Sequence, residues 1–108
     1  VVGCVESFRN SDHRSWLAVS LIFGLPGWAY RREWQQFDEW IVEGGKELER
    51  QHFADPDIAR ALEIAGELAE EFGEKRRADK AYLLAADQWK TLNEPGKANA
   101  MSLRVGIV

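Results

Sequence analysis

A glutamate and a histidine near the middle of the chain are the first candidates for chemistry. In the sequence Glu49-Arg-Gln-His52, a carboxylate precedes an imidazole by three residues. On a helix, side chains at i and i+3 share a face, so this pair could contribute two ligands to one metal ion. The chain has only two histidines, and His13 has no glutamate three residues before it. The sequence therefore predicts no metal site, and Glu49 and His52 are the residues that would carry one.

Nucleophilic catalysis has no recognisable constellation in this sequence. Ser11, Asp12 and His13 are adjacent, whereas the members of a catalytic triad meet through the fold. Cys4 has no assignable base, and the glycines within 43–47 lack the spacer and the Ser or Thr of a phosphate-binding loop. We therefore predict no catalytic residue and no cofactor, and we expect a protein that is not an enzyme.

Charge and composition bear on the kind of partner. The 108-residue chain carries a formal net charge of −4, and neither half, divided after Ala54, is basic. Nucleic-acid binding therefore lacks electrostatic support. Five tryptophans are many for this length, and they favour an interface with a protein partner or with a second copy of the chain.

The single cysteine, Cys4, excludes an internal disulfide. The "VVGC" stretch at 1–4 is similar to the lipobox that precedes the lipidated cysteine of bacterial lipoproteins, although three residues remain before the cysteine here. Lipidation of Cys4 in a cell-envelope protein is one hypothesis. A buried cysteine in a cytoplasmic or membrane-peripheral protein is the other.

An apolar stretch lies between Arg14 and Arg31, which enclose 16 residues without a charge. As a helix it would reach about 24 Å, which is shorter than the roughly 30 Å of a bilayer core. The "GLPG" at 24–27 is a helix-breaking signal that shortens it further. We therefore expect an irregular N-terminal arm and hydrophobic segment over 1–27, which covers the core or docks onto a larger assembly, with membrane contact as the alternative. The candidate docking residues are Trp16, Leu17, Leu21, Phe23 and Trp28.

The rest of the chain, 28–108, has helical periodicity. Apolar residues recur every three or four positions, and Asp55-Pro56 and Gly73 are typical of a helix start and a helix stop. Short connections between the segments favour antiparallel neighbours. The sequence thus predicts an all-α fold of antiparallel helical hairpins, stacked as a small bundle or a solenoid fragment. The predicted helices span about 28–50, 56–72, 76–92 and 95–106.

An internal repeat strengthens the prediction of stacked hairpins. The segment 65–84 aligns without gaps with 85–104, an offset of about one helix and its turn. Over about 57–106 the chain resembles the tetratricopeptide-repeat family of αα-hairpins, because Tyr82, Ala85, Ala86, Trp89, Ala98 and Ser102 fall where that family places packing residues. No second copy lies at that family's 34-residue spacing, and the first half departs from the pattern. The resemblance implies a groove that binds extended peptides or partner helices, lined by Lys80, Leu83, Asp87 and Lys90.

Three functional hypotheses remain open at this point. The first is a non-enzymatic helical module for protein–protein interaction or scaffolding. The second is a membrane-associated accessory subunit or lipoprotein of a larger complex, suggested by the stretch at 15–30. The third is a dimeric ferritin-like di-iron protein, which rests on Glu49 and His52 alone.

Overall fold

The computed structural model of the protein describes residues 14–105, with side chains from residue 17 onward except that of Gln51. The described part is built from five helices that pack on one another, which confirms the predicted all-α class. Three predicted helices agree with the structure to within one residue at each end. The helices are α1 (Arg14–Arg31), α2 (Trp34–Gln51), α3 (Pro56–Glu71), α4 (Lys75–Thr91) and α5 (Pro95–Val105).

The apolar stretch differs from its prediction, because residues 14–27 are part of a helix in the core. Helix α1 continues through Pro26, although a proline inside a helix costs about 3 kcal/mol. Ile22 and Leu25 are fully buried against the neighbouring helices, and each contributes about 1.5–3 kcal/mol. This packing outweighs the helix-breaking tendency of "GLPG". The helix predicted over 28–50 is consequently two pieces, the last turn of α1 and the whole of α2, and Tyr30 is exposed rather than on the packing stripe.

The four junctions between helices share one geometry. At Gly73, the N–H donates to the Glu70 carbonyl (3.0 Å), as expected for the residue after a helix end. The next N–H, of Glu74, reaches back to the Ala69 carbonyl (2.8 Å), which completes the Schellman motif. The same pair of hydrogen bonds closes every junction, and each central residue has left-handed backbone. These central residues are Arg32, His52, Gly73 and Asn93, at spacings of 20, 21 and 20.

The helices form a row in which each helix packs on its neighbours. Helix α1 packs on α2 and on α3, α3 packs on α4, and α4 packs on α5. Short turns make neighbours in the chain antiparallel, so α2 and α4 run in the same direction. These two helices make few contacts with each other. The result is a flat molecule of 46 × 32 × 17 Å with a gap between α2 and α4.

A close contact in the core joins α3 and α4. The ring of Tyr82 is fully buried against Gly66. A Cβ atom at Gly66 would lie only 2.6 Å from Tyr82 Cε1, so the absence of a side chain on α3 makes room for the ring. The hydroxyl of Tyr82 donates to Glu70 Oε1 (3.2 Å) and lies 3.4 Å from the guanidinium of Arg104.

Candidate functional site

A concave surface lies in the gap between α2 and α4, which we call the α2–α4 groove. Its main part has a volume of about 300 Å³, and a second cavity of about 160 Å³ continues it toward the α2–α3 turn. The two parts share Gly45 and Glu49 of α2 and Leu84 and Asp87 of α4. The main part is lined by Ile41, Val42, Gly45, Glu49, Lys80, Leu83, Leu84 and Asp87.

One end of the groove is fixed by an arginine that bridges its two walls. The guanidinium of Arg77, on α4, binds both carboxylate oxygens of Asp38, on α2, at 2.8 and 2.9 Å. It also lies over the Trp34 ring, 5.4 Å from the centroid. Hydrogen bonds to Asp38 raise the pKa of Arg77, so this cation is permanent. A bidentate pair of this kind has a defined geometry, and it sets the distance between the N-terminal parts of α2 and α4.

The other end is fixed by a buried amide. Gln88 of α4 accepts from the Asp55 backbone N–H (3.0 Å) and donates to the Phe53 carbonyl (2.9 Å). Both backbone groups belong to the turn between α2 and α3, and only 6% of Gln88 is exposed. Because both walls are held at both ends, the groove is a preformed feature of the fold.

The middle of the groove is apolar and accessible. Val42 on one wall and Leu83 on the other are 38% and 48% exposed. Between them, Gly45 has no side chain, and a Cβ there would just touch Leu84 Cδ1, at 3.4 Å. The glycine therefore keeps the groove open without being required by the packing of the core.

Charged residues occupy the two ends of the groove. Lys80 lies at the end where α2 and α4 begin, and Arg76 lines the adjoining surface with it. Glu49 and Asp87 lie at the end where the two helices finish. Among the residues that the structure describes, none of these four side chains forms an ion pair. The groove thus has a positive end and a negative end, both available to a ligand.

Three of the four residues predicted to bind a partner line this groove. Lys80, Leu83 and Asp87 meet there, whereas Lys90 is exposed on α4 outside the lining. Sequence reasoning missed the opposite wall, formed by Val42, Gly45 and Glu49 of α2. The available signal was a lone valine on the charged face of a helix, beside a pair of glycines.

The residues predicted to dock onto a larger assembly belong mostly to the core. Leu21 is buried, Leu17 is half-buried, and Trp28 packs edge-on against Trp40 with ring centroids 5.2 Å apart. Only Phe23 is exposed, by 47%. The side chain of Trp16 lies outside the described residues. None of the described helices is long and apolar enough to cross a membrane.

The candidate metal ligands come together without forming a recognisable site. Glu49 and His52 both line the cavity near the α2–α3 turn. However, His52 follows the end of α2 with left-handed backbone (φ 49°), so the helical i, i+3 geometry assumed for the pair does not hold. Across residues 14–105, no group of three or more His, Cys, Asp or Glu side chains is placed to hold a metal ion. Cys4, Ser11, Asp12 and His13 lie outside the described residues.

A buried ionisable group lies on the far side of α4 from the groove. Burial raises the pKa of the Tyr82 hydroxyl, and the nearby Glu70 carboxylate adds to the shift. Arg104 acts in the opposite direction and is held by Glu67 at 2.9 Å. Tyr82 lines neither cavity of the groove, so we assign its hydrogen-bond network to the packing of α3, α4 and α5.

Comparisons with known proteins give no match: no family model fits the chain, and neither a curated protein nor a solved structure is similar to it.

Proposed function

We propose that this protein is a non-enzymatic interaction module that holds a segment of a partner protein in the α2–α4 groove. The observation that carries the proposal is the exposed apolar pair, Val42 and Leu83, set between two fixed walls with unpaired charges at both ends. Ligand-binding surfaces of this kind combine an apolar centre with a few polar groups that orient the ligand.

We further propose that the helices are tetratricopeptide-like in the way they stack. The repeated junctions support this, because Gly73 follows Arg32, and Asn93 follows His52, by 41 residues. This spacing is longer than the 34 residues of a tetratricopeptide unit. The likeness therefore concerns the stacking of αα-hairpins, in which a surface between successive hairpins binds the partner.

A capture experiment with matched leucine variants tests the proposal. The immobilised protein is exposed to a lysate of its source cells, and the captured proteins are quantified by mass spectrometry. Leu83→Glu places a charge in the groove, whereas Leu103→Glu changes an even more exposed leucine (70%) on α5, outside the groove. We expect proteins that are captured by the wild type and by Leu103→Glu and lost with Leu83→Glu. Circular dichroism checks that both variants are folded. An identical captured set for all three proteins would contradict the proposal.

A further inference from the structure

The charges of the α2–α4 groove follow the direction of the helices that form it. Because α2 and α4 run in the same direction, Lys80 and Arg76 lie where both helices begin, and Glu49 and Asp87 lie where both end. Lys80 and Asp87 are seven residues apart on α4, which is about 10 Å along the helix axis. An occupant of the groove therefore meets two opposite fields within two or three turns.

The helix termini reinforce this polarity. Two parallel helices place their partial positive charges at the Lys80 end. Neither α2 nor α4 has an acidic residue in its first turn, but their N-cap residues, Glu33 and Glu74, are acidic. Arg77 neutralises Glu74, so the terminus of α4 keeps its partial charge, whereas Glu33 offsets part of the charge at the terminus of α2. At the other end, the last-turn cations Arg50 and Lys90 lie outside the groove lining, which there contains Glu49 and Asp87.

Resting on the proposed function, we infer that the partner segment is an amphipathic helix that lies antiparallel to α2 and α4. Its N-terminal turn carries a Lys or Arg and faces Glu49 and Asp87. Its C-terminal turn carries an Asp or Glu and faces Lys80 and Arg76. In this orientation the charged side chains and the dipole of the bound helix both interact favourably with the charges of the groove. In the parallel orientation the dipole interaction becomes unfavourable.

A helix suits the groove better than an extended strand for a second reason. The walls are helices whose backbone groups are bonded internally, so the groove offers no row of free N–H and C=O groups to pair with a strand. A bound helix satisfies its own backbone. It can place apolar side chains, spaced i, i+3, i+4 and i+7, over Val42, Leu83 and Leu84.

The inference is tested with two synthetic 14-residue peptides of identical composition, each held helical by a side-chain lactam bridge. Both carry leucines at i, i+3, i+4 and i+7. One has Lys and Arg in its first turn and two glutamates in its last turn, and the other has the reverse. Binding is measured by fluorescence anisotropy at low salt. We expect the peptide with the basic N-terminus to bind about fivefold tighter, because the reversed peptide keeps the same ion pairs only in the parallel orientation, in which its dipole is unfavourable. We expect the preference to shrink in high salt.

Variants separate the failure of this inference from that of the proposed function. Glu49→Lys with Asp87→Lys should abolish or reverse the preference. Gly45→Leu fills the groove and should weaken both peptides, whereas Gly27→Leu, at an exposed glycine with nothing within 4 Å, should weaken neither. The two peptides could bind equally well and both lose binding with Gly45→Leu. That result would overturn the charge-directed orientation and leave the proposed function standing. Failure of both peptides to bind would overturn the helical occupant, and the leucine variants in the lysate experiment decide the proposed function independently.

Discussion

The two hydrogen bonds between the Gln88 side chain and the α2–α3 turn form a polar clamp. Replacement of Gln88 by leucine tests whether this clamp stabilises the fold. The change keeps a side chain of similar size on α4 but removes both hydrogen bonds, from the Asp55 N–H (3.0 Å) and to the Phe53 carbonyl (2.9 Å). Each buried backbone group left without a partner costs about 1–3 kcal/mol. Phe53 and Asp55 are only half-buried, so water can restore part of the loss, and the lower end of the range applies to each.

Two such groups at about 1–1.5 kcal/mol each, offset in part by the added apolar burial of leucine, give a net loss of about 2 kcal/mol in the free energy of unfolding. For a domain of this size, each kcal/mol corresponds to roughly 4–8 °C in Tm. We therefore expect Gln88→Leu to melt about 8–16 °C below the wild type, as measured by circular dichroism at neutral pH. Gln35→Leu, on the exposed face of α2, is the matched control and should stay within about 0.5 kcal/mol of the wild type.

Gln88→Glu adds a pH-dependent test of the same clamp. The carboxylate retains an acceptor for the Asp55 N–H, but it places a second acceptor against the Phe53 carbonyl. Protonation returns one donor, and burial beside a carbonyl raises the pKa of the introduced carboxyl, so the deficit of this variant relative to wild type should shrink as the pH falls toward about 4 and stay constant below it. If Gln88→Leu and Gln35→Leu melt at the same temperature, water replaces both hydrogen bonds to the backbone of the turn, and the clamp does not stabilise the fold.

The remaining predictions concern the core and the walls of the groove. Gly66→Ala should destabilise the protein by about 1–3 kcal/mol, because the new Cβ meets Tyr82 at 2.6 Å. Gly45→Ala should stabilise it by up to about 1 kcal/mol through helix propensity. Urea unfolding measures both changes, and changes in stability of the same sign would contradict the packing argument. Burial raises the pKa of Tyr82, so the hydroxyl ionises first in the unfolded chain. Its contribution is present below about pH 10 and is lost above it, and Tyr82→Phe should flatten the alkaline fall in stability measured from about pH 9 to about 11. Arg77→Lys keeps the positive charge but loses the bidentate hydrogen bonds to Asp38. Since both side chains are partly exposed, we expect a loss of only about 1 kcal/mol, and no loss in thermal melts would show that the pair does not hold the groove walls.

The junctions explain which helices could be predicted from the sequence. All four require a left-handed residue, and Gly73 and Asn93 are the types that most often adopt that conformation at the end of a helix. Both lie in the second half, where the predicted helices agree with the structure. Arg32 carries no such signal, so the boundary between α1 and α2 was missed. Pro26 suggested a helix end that the structure does not have, because the sequence alone does not show which buried residues offset the cost of a proline inside a helix.

The candidate site was predictable to the same extent. The helical period placed Lys80, Leu83 and Asp87 on one exposed face of α4, and that face is one wall of the groove. The opposite wall depends on which helix lies beside α4. That neighbour is α2, some forty residues earlier in the chain, and no local pattern in α2 indicates the pairing.

The row of helix contacts has a consequence for how the protein opens. Helix α1 lies between α2 and α3, and α5, only 11 residues long, packs mainly on α4 at the end of the row. Amide hydrogen exchange should therefore be slowest in α1 and α3 and fastest in α5, because units at the end of a linear array detach without disturbing the rest. The apolar segment that looked like an appendage would then be among the last parts of the chain to lose protection, and unfolding would proceed inward from the ends of the row, α2 and α5, instead of from the ends of the chain.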